Sequence, residues 1–290
     1  MVSDRVVLVL QGGGTRAIFT AGVTDALLDA GLDFSWLAGT SAGALIAVNL
    51  VAKQRGRSKD VVIKGMGDKK FASFGNYIKT GSYFGFDYLF HELPKTKIPF
   101  DYDTYYASKA KFYVGTTGVG DGKAHYFDRY CDDFIAACSA SSSLPFLGKP
   151  VKVCDEGLFM DGGTSCAIPF HKAKEEGAAK FVIVATRARD YRKKPHGKIS
   201  SLFYKAKYHK YPNYLYAMLH EYEVYNKDME ELFQMEKEGR AFMIMPKTAP
   251  TVGRKEKNAQ KLQAFYEEGY ATCKELLPAL MEFLKGDIDE

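Results

Sequence analysis

Gly39-Thr40-Ser41-Ala42-Gly43 decides how this chain folds. Ahead of it, Phe34-Ser35-Trp36-Leu37-Ala38 is a short apolar run that reads as a buried strand. Behind it, Ala44-Leu45-Ile46-Ala47-Val48-Asn49-Leu50-Val51-Ala52 reads as a helix, over 42–53 in all. A Gly-x-Ser-x-Gly between strand and helix is the context of a nucleophile elbow, a turn so sharp that the serine hydroxyl projects clear of the backbone. Gly39 and Gly43 keep side chains out of the bend and tolerate unusual dihedrals. The helix N-terminus then points at Ser41 and favours negative charge developing there.

Upstream, Val6-Val7-Leu8-Val9-Leu10 is β-branched and too short for a helix, so it is a first buried strand. The loop Gln11-Gly12-Gly13-Gly14-Thr15-Arg16 follows, then a helix to about Ala30 with Ile18, Val23, Ala26, Leu27 and Ala30 on one face and Gly31 as its stop. Backbone N–H groups of such a loop, beside a helix N-terminus, attract negative charge. Two functions compete for them. Gly12-x-Gly14-x-x-Ala17, with Asp33 about 20 residues on, spells the dinucleotide fingerprint of a nucleotide-binding oxidoreductase. The other is an oxyanion hole facing a tetrahedral intermediate. Neighbouring strand ends of an open parallel sheet share one crevice, which brings the loop to Ser41 and favours the oxyanion hole.

Downstream, residues 53–70 are basic and read as a surface helix with its connection. Residues 71–106 crowd aromatics around glycines and prolines, as short helices over the crevice mouth: a lid or acyl-chain pocket, or an aromatic packing layer. Lys111–Thr117 pairs with Ala124–Phe127 through Gly120-Asp121-Gly122. A helix over Cys131–Ser141 runs into Ser141-Ser142-Ser143, which read as turn formers. Leu158-Phe159-Met160 delivers Asp161-Gly162-Gly163, where the acid either reaches a serine at a neighbouring strand end or simply makes a turn. Strands at 180–186 and 241–245 alternate with helices at 170–176, 214–237 and 258–284. That alternation predicts an α/β fold, a mostly parallel sheet between helical layers, in a single domain over 1–290.

Composition narrows the function classes. At 46% apolar, the 290 residues suffice for a sizeable core, and no linker, repeat or low-complexity tract divides them. Five cysteines without a C-x-x-C pair suit neither a zinc site nor a disulfide framework, so no metal or other cofactor is expected. With no export signal or spanning run, the expected address is cytoplasmic. The net charge of +5 is mild but uneven: Arg187 to Lys210 holds nine basic residues against Asp190, interleaved with Tyr191, Phe203, Tyr204, Tyr208 and Tyr211. This mixture suits an anionic membrane surface or a solvated loop; nucleic acid is not expected, since no binding motif accompanies it.

Three separated segments, Gly12-Gly13-Gly14-Thr15-Arg16, Gly39-Thr40-Ser41-Ala42-Gly43 and Asp161-Gly162-Gly163, together resemble the patatin-like phospholipases. Ala140-Ser141 to Pro145-Phe146 resembles that family's stretch ahead of its aspartate, and the chain from Pro169 through the basic turn to the final helix is similar to the bacterial branch. The resemblance implies a three-layer variant of the α/β-hydrolase architecture and a serine acyl hydrolase acting on phospholipid or lysophospholipid. It implies a Ser41–Asp161 dyad without histidine, with the oxyanion held in the loop Gly12, Gly13, Gly14 and Arg16. One departure is Ala17, where family members carry glycine; a narrower local packing is expected there. An α/β-hydrolase triad would need a histidine after the acid. His171, His196, His209 and His220 all follow Asp161, none in a strand-end context. The remaining class is a non-catalytic membrane-binding protein using Arg187–Lys210.

Overall fold

A computed structural model describes residues 1–287. Eight strands form one sheet: β1 Val6–Leu10, β2 Trp36–Thr40, β3 Lys111–Gly118, β4 Ala124–Asp128, β5 Val151–Val153, β6 Gly157–Asp161, β7 Lys180–Val184 and β8 Ala241–Ile244. The order is β5-β6-β3-β2-β1-β7-β8, with β4 also paired to β3. The five strands from β3 to β8 along that path are parallel, whereas β4, β5 and β6 join antiparallel. The result is the α/β, three-layer, mostly parallel architecture expected.

Every residue of β1 and β2 is buried because helices cover both faces, the condition under which a parallel strand reads as an unbroken apolar run. Val6, Leu8 and Leu10 face the helices Ile18–Asp29, Ala42–Val51 and Ala259–Phe283, while Val7 and Val9 face His171–Glu175 and Pro212–Lys237. The Ile18–Asp29 helix departs from the one-sided stripe expected, since all residues from Ile18 to Leu27 are buried. The cause is the Ala259–Phe283 helix laid across its outer side. A Cβ on Gly22 would lie 2.1 Å from the Tyr266 carbonyl oxygen, and one on Gly269 2.1 Å from that of Phe19. Only glycine at both positions lets the two backbones come this close.

The polarity of β6 is not given by the sequence reading. It runs against β3, with Thr116 opposite Asp161, so the acid arrives at the crevice from beyond the sheet's end. Val151–Val153, not expected as a strand, pairs with β6 and makes that return possible. Residues 71–106 form short helices at Phe74–Thr80, Leu93–Thr96 and, in part, Tyr102–Ala107, with a π-helical turn at Tyr88–Glu92. Lys198–Tyr208, within the basic segment, is a helix. Among the described residues no helix is long and apolar enough to cross a membrane.

Candidate active site

The crevice lies where β1 and β2 end. Gly12 packs onto the elbow so tightly that a Cβ on it would stand 3.1 Å from the Ser41 Cβ. Ser41 takes φ 55° and ψ −129°, a left-handed value rare for a residue with a side chain. The unusual dihedrals therefore fall on the serine, and the elbow glycines supply clearance instead. A Cβ on Gly43 would lie 2.4 Å from the Leu10 carbonyl oxygen, and one on Gly39 2.6 Å from the Ala44 Cα.

Ser41 Oγ–H donates to Asp161 Oδ2 at 2.8 Å, and the other carboxylate oxygen accepts the Gly163 N–H at 2.7 Å. Both residues are buried. Burial pushes the Asp161 carboxyl up to about 6, against the opposing pull of Ser41, the Gly163 N–H and Arg254, and with a small upward push from Glu221. It is thus a stronger base than a free aspartate and still ionised at neutral pH. Ser141, among the serines expected to make a turn, instead supports the elbow. Its Oγ accepts the Ser41 N–H at 2.7 Å and donates to the Gly115 carbonyl at 2.6 Å. Nothing in its local sequence distinguishes it from Ser142 or Ser143.

The glycine loop divides its tasks. Gly12 cannot serve as an oxyanion donor, because its N–H is committed to the Ala167 carbonyl at 3.2 Å. The N–H groups of Gly13 and Gly14 have no hydrogen-bond partner among the described residues. Ala17 is buried in a 3-10 turn, Gly14–Ala17, and the loop stays against the elbow despite its methyl group. The dinucleotide reading fails on placement. Asp33 precedes β2, at the end of the sheet away from the loop, where it pairs with Lys53 at 2.7 Å.

Ser41 lies in the walls of two cavities. One, about 760 Å³, is walled by Leu45, Ile46, Phe71, Phe86, Phe90 and Phe134, which brings the 71–106 segment over the crevice. The other, about 350 Å³, is the more polar of the two and also contains Asp161. His196 lines the polar cavity but pairs with Glu221 at 3.2 Å; His171 pairs with Asp228 at 2.8 Å. No histidine among the described residues hydrogen-bonds Ser41 or Asp161. No cluster of three or more His, Cys, Asp or Glu among the described residues could hold a metal.

The family model for patatin-like phospholipases matches residues 8–174, and a domain of unknown function (DUF6363) matches 211–285. The uncharacterized protein YjjU of Escherichia coli (strain K12) is 31% identical over 188 residues, 63% of this chain and 52% of that protein. The chain thus spans about half the length of this curated relative. The crystal structure of VipD from Legionella pneumophila aligns with 97% of this chain and 66% of its own, at a TM-score of 0.44 and 11% identity. With more than half of the 290 residues matched, and Gly13, Gly14, Ser41 and Asp161 all inside the match, the chain belongs to the patatin-like phospholipases, a family of lipid acyl hydrolases.

Proposed function

We propose that the protein hydrolyses the acyl ester of a phospholipid or lysophospholipid through a Ser41–Asp161 dyad. The observation carrying this reading is the 2.8 Å hydrogen bond from Ser41 Oγ to Asp161 Oδ2, at the junction of the two cavities. Ser41 Oγ attacks the ester carbonyl carbon and its proton passes to Asp161. The carbonyl oxygen, now an oxyanion, takes the N–H groups of Gly13 and Gly14, with the Ala42–Val51 helix N-terminus adding positive potential. Arg16 adds positive charge or braces the loop. Collapse of the intermediate breaks the bond to the alkoxy oxygen, which leaves with the proton from Asp161. Water, deprotonated by Asp161, then attacks the acyl-serine; the bond to Ser41 Oγ breaks, Oγ takes the proton back from Asp161, and the fatty acid leaves. The apolar cavity suits the acyl chain.

Hydrolysis of p-nitrophenyl butyrate tests the dyad. Ser41→Ala and Asp161→Asn are each expected to lose about 10³-fold or more in kcat. Retention of activity by either, or its loss when His91, in the wall of the apolar cavity, or His196 is replaced in a folded protein, overturns the reading.

A lipid surface is the proposed partner. Ile199, Leu202 and Phe203 are 76%, 68% and 62% exposed, at helical i, i+3, i+4 spacing, among Lys198, Lys205 and Lys207. An exposed apolar stripe flanked by lysines fits the interface of an anionic membrane.

A further inference from the structure

The polar cavity holds more positive charge than its own carboxylates neutralise. Its wall carries Arg16, Arg187, Lys193, Arg254 and Lys255. Of the acids there, Glu221 is matched by Lys193 at 2.9 Å and His196 at 3.2 Å, and Asp161 is engaged by Ser41 and Gly163. No carboxylate of the described residues forms an ion pair with Arg16, Arg187 or Arg254.

Arg16 is the sharpest case. It is 5% exposed, and its Nε has no hydrogen-bond partner among the described residues. Burial, together with the nearby Arg187 and Arg254, lowers its guanidinium to about 9. Burying a cation among like charges is unfavourable unless an anion joins them. Arg187 stacks on Tyr191, with its guanidinium carbon 4.3 Å from the ring centroid, a contact that fixes the plane and leaves N–H edges available. Arg254 is held at the mouth by its own backbone: its carbonyl accepts the Thr15 N–H at 3.1 Å, and that of Gly253 accepts the Thr15 hydroxyl at 2.8 Å.

We propose that this cavity binds the phosphate of an anionic lipid headgroup, so that the preferred substrate carries a phosphate on the leaving-group side of the scissile ester. The assignment rests on the Ser41–Asp161 reading for its orientation: with the acyl chain in the apolar cavity, the alcohol side extends past Ser41 into the arginines. Planar guanidinium groups match phosphate oxygens two at a time. Arg187, Lys193, Arg254 and Lys255 all lie beyond residues 8–174, and Glu221 and Arg254 lie within the 211–285 match. The segment of unknown function therefore completes the substrate site of the acyl hydrolase.

Binding separates this proposal from catalysis. Ser41→Ala protein is titrated calorimetrically with a lysophosphatidic acid and with the monoacylglycerol of the same acyl chain. Charge-assisted contacts to phosphate predict about tenfold or greater preference for the anionic lipid. Adding Arg187→Gln and Arg254→Gln is expected to erase it. Adding Lys111→Gln and Lys237→Gln removes the same charge elsewhere and is expected to retain it. Equal binding of the two lipids, or a preference that survives loss of both arginines, overturns the proposal. So does tight binding of glycerol 3-phosphate or inorganic phosphate without any lipid preference, which would assign the pocket to a free phosphate compound. In the parent protein, kcat/KM for the same pair is expected to show the same preference. Absence of hydrolysis with the binding preference intact would sink the dyad and leave the phosphate site standing.

Discussion

Asp161 carries opposite consequences for activity and for stability. Its carboxyl rises from an ordinary 3.8 to about 6 because burial penalises the charge, despite hydrogen bonds from Ser41 and Gly163 and the field of Arg254. A folded-state value above the unfolded one means that ionised Asp161 opposes folding; the penalty begins near pH 4 and is complete above about pH 6. Each unit is worth about 1.4 kcal/mol, so Asp161→Asn is expected to stabilise the protein by about 3 kcal/mol at pH 8 while abolishing turnover. Urea denaturation at pH 8 and at pH 4 checks this, with the gain vanishing at the lower pH. No gain at pH 8 would mean that the carboxylate is better solvated than its burial indicates. The same shift sets the rate profile. As the proposed base, Asp161 must be ionised, so kcat/KM on a neutral ester is expected to fall as pH drops through about 6. Arg254 lowers the carboxyl, and Arg254→Gln is therefore expected to move that midpoint upward. A midpoint that stays put would remove Arg254 from the field at Asp161.

Among the elements, the crossing of the Ile18–Asp29 and Ala259–Phe283 helices is the most exacting contact, because it brings backbone against backbone. In an ordinary helix interior Gly→Ala is stabilising by about 1 kcal/mol. At Gly22 and at Gly269 the new methyl would stand 2.1 Å from a carbonyl oxygen of the other helix. Overpacking of this kind costs about 1–3 kcal/mol, so each substitution is expected to lower stability, reversing the usual sign. Thermal unfolding of the two single variants decides it, and a raised midpoint would show that the helices can part at little cost. Neither glycine announces itself in the sequence, since the partner lies some 240 residues away (Asp25 and Tyr266, for instance, are 241 apart). β1, the elbow and the strand before Asp161 were legible because each is a local apolar run ended by glycine. The direction of β6 was not. It depends on the short return through Val151–Val153, whose Val-Lys-Val is too brief to show an alternation.

For the whole molecule, the proposed reacting end of the site was readable while its walls were not. Ser41, Asp161, Gly13 and Gly14 sit in compact motifs, whereas Arg187, Lys193, Glu221 and Arg254 share no motif and meet only after β7 and the two long helices have packed. The basic segment shows why counting charges along a sequence misleads. Read as one surface, Arg187–Lys210 divides in the fold: Arg187 and Lys193 line the polar cavity, Arg189 pairs with Glu236 at 2.7 Å, and the Lys198–Tyr208 helix buries Tyr208 while its outer face, with Ile199, Leu202 and Phe203, stays exposed. Under the two proposals the halves take different lipid contacts, headgroup in the cavity and bilayer at the helix. Burying one large apolar side chain is worth about 1.5–3 kcal/mol, so a pair reaching the acyl boundary supplies at least a tenfold gain in partition. Leu202→Glu with Phe203→Glu is expected to reduce co-sedimentation with phosphatidylglycerol vesicles by about that factor. The ratio of vesicle hydrolysis to hydrolysis of a monomeric short-chain ester should fall alongside it. Charge reversal on the polar side, by Lys205→Glu, is expected to weaken vesicle binding in a way that added salt mimics, because surface potentials are screened within about 8 Å at physiological ionic strength. Vesicle binding indifferent to both sets of changes would move the membrane contact elsewhere. The exposed Phe74 and Ile78 of the Phe74–Thr80 helix, which belongs to the segment over the apolar cavity, would be the next surface to test.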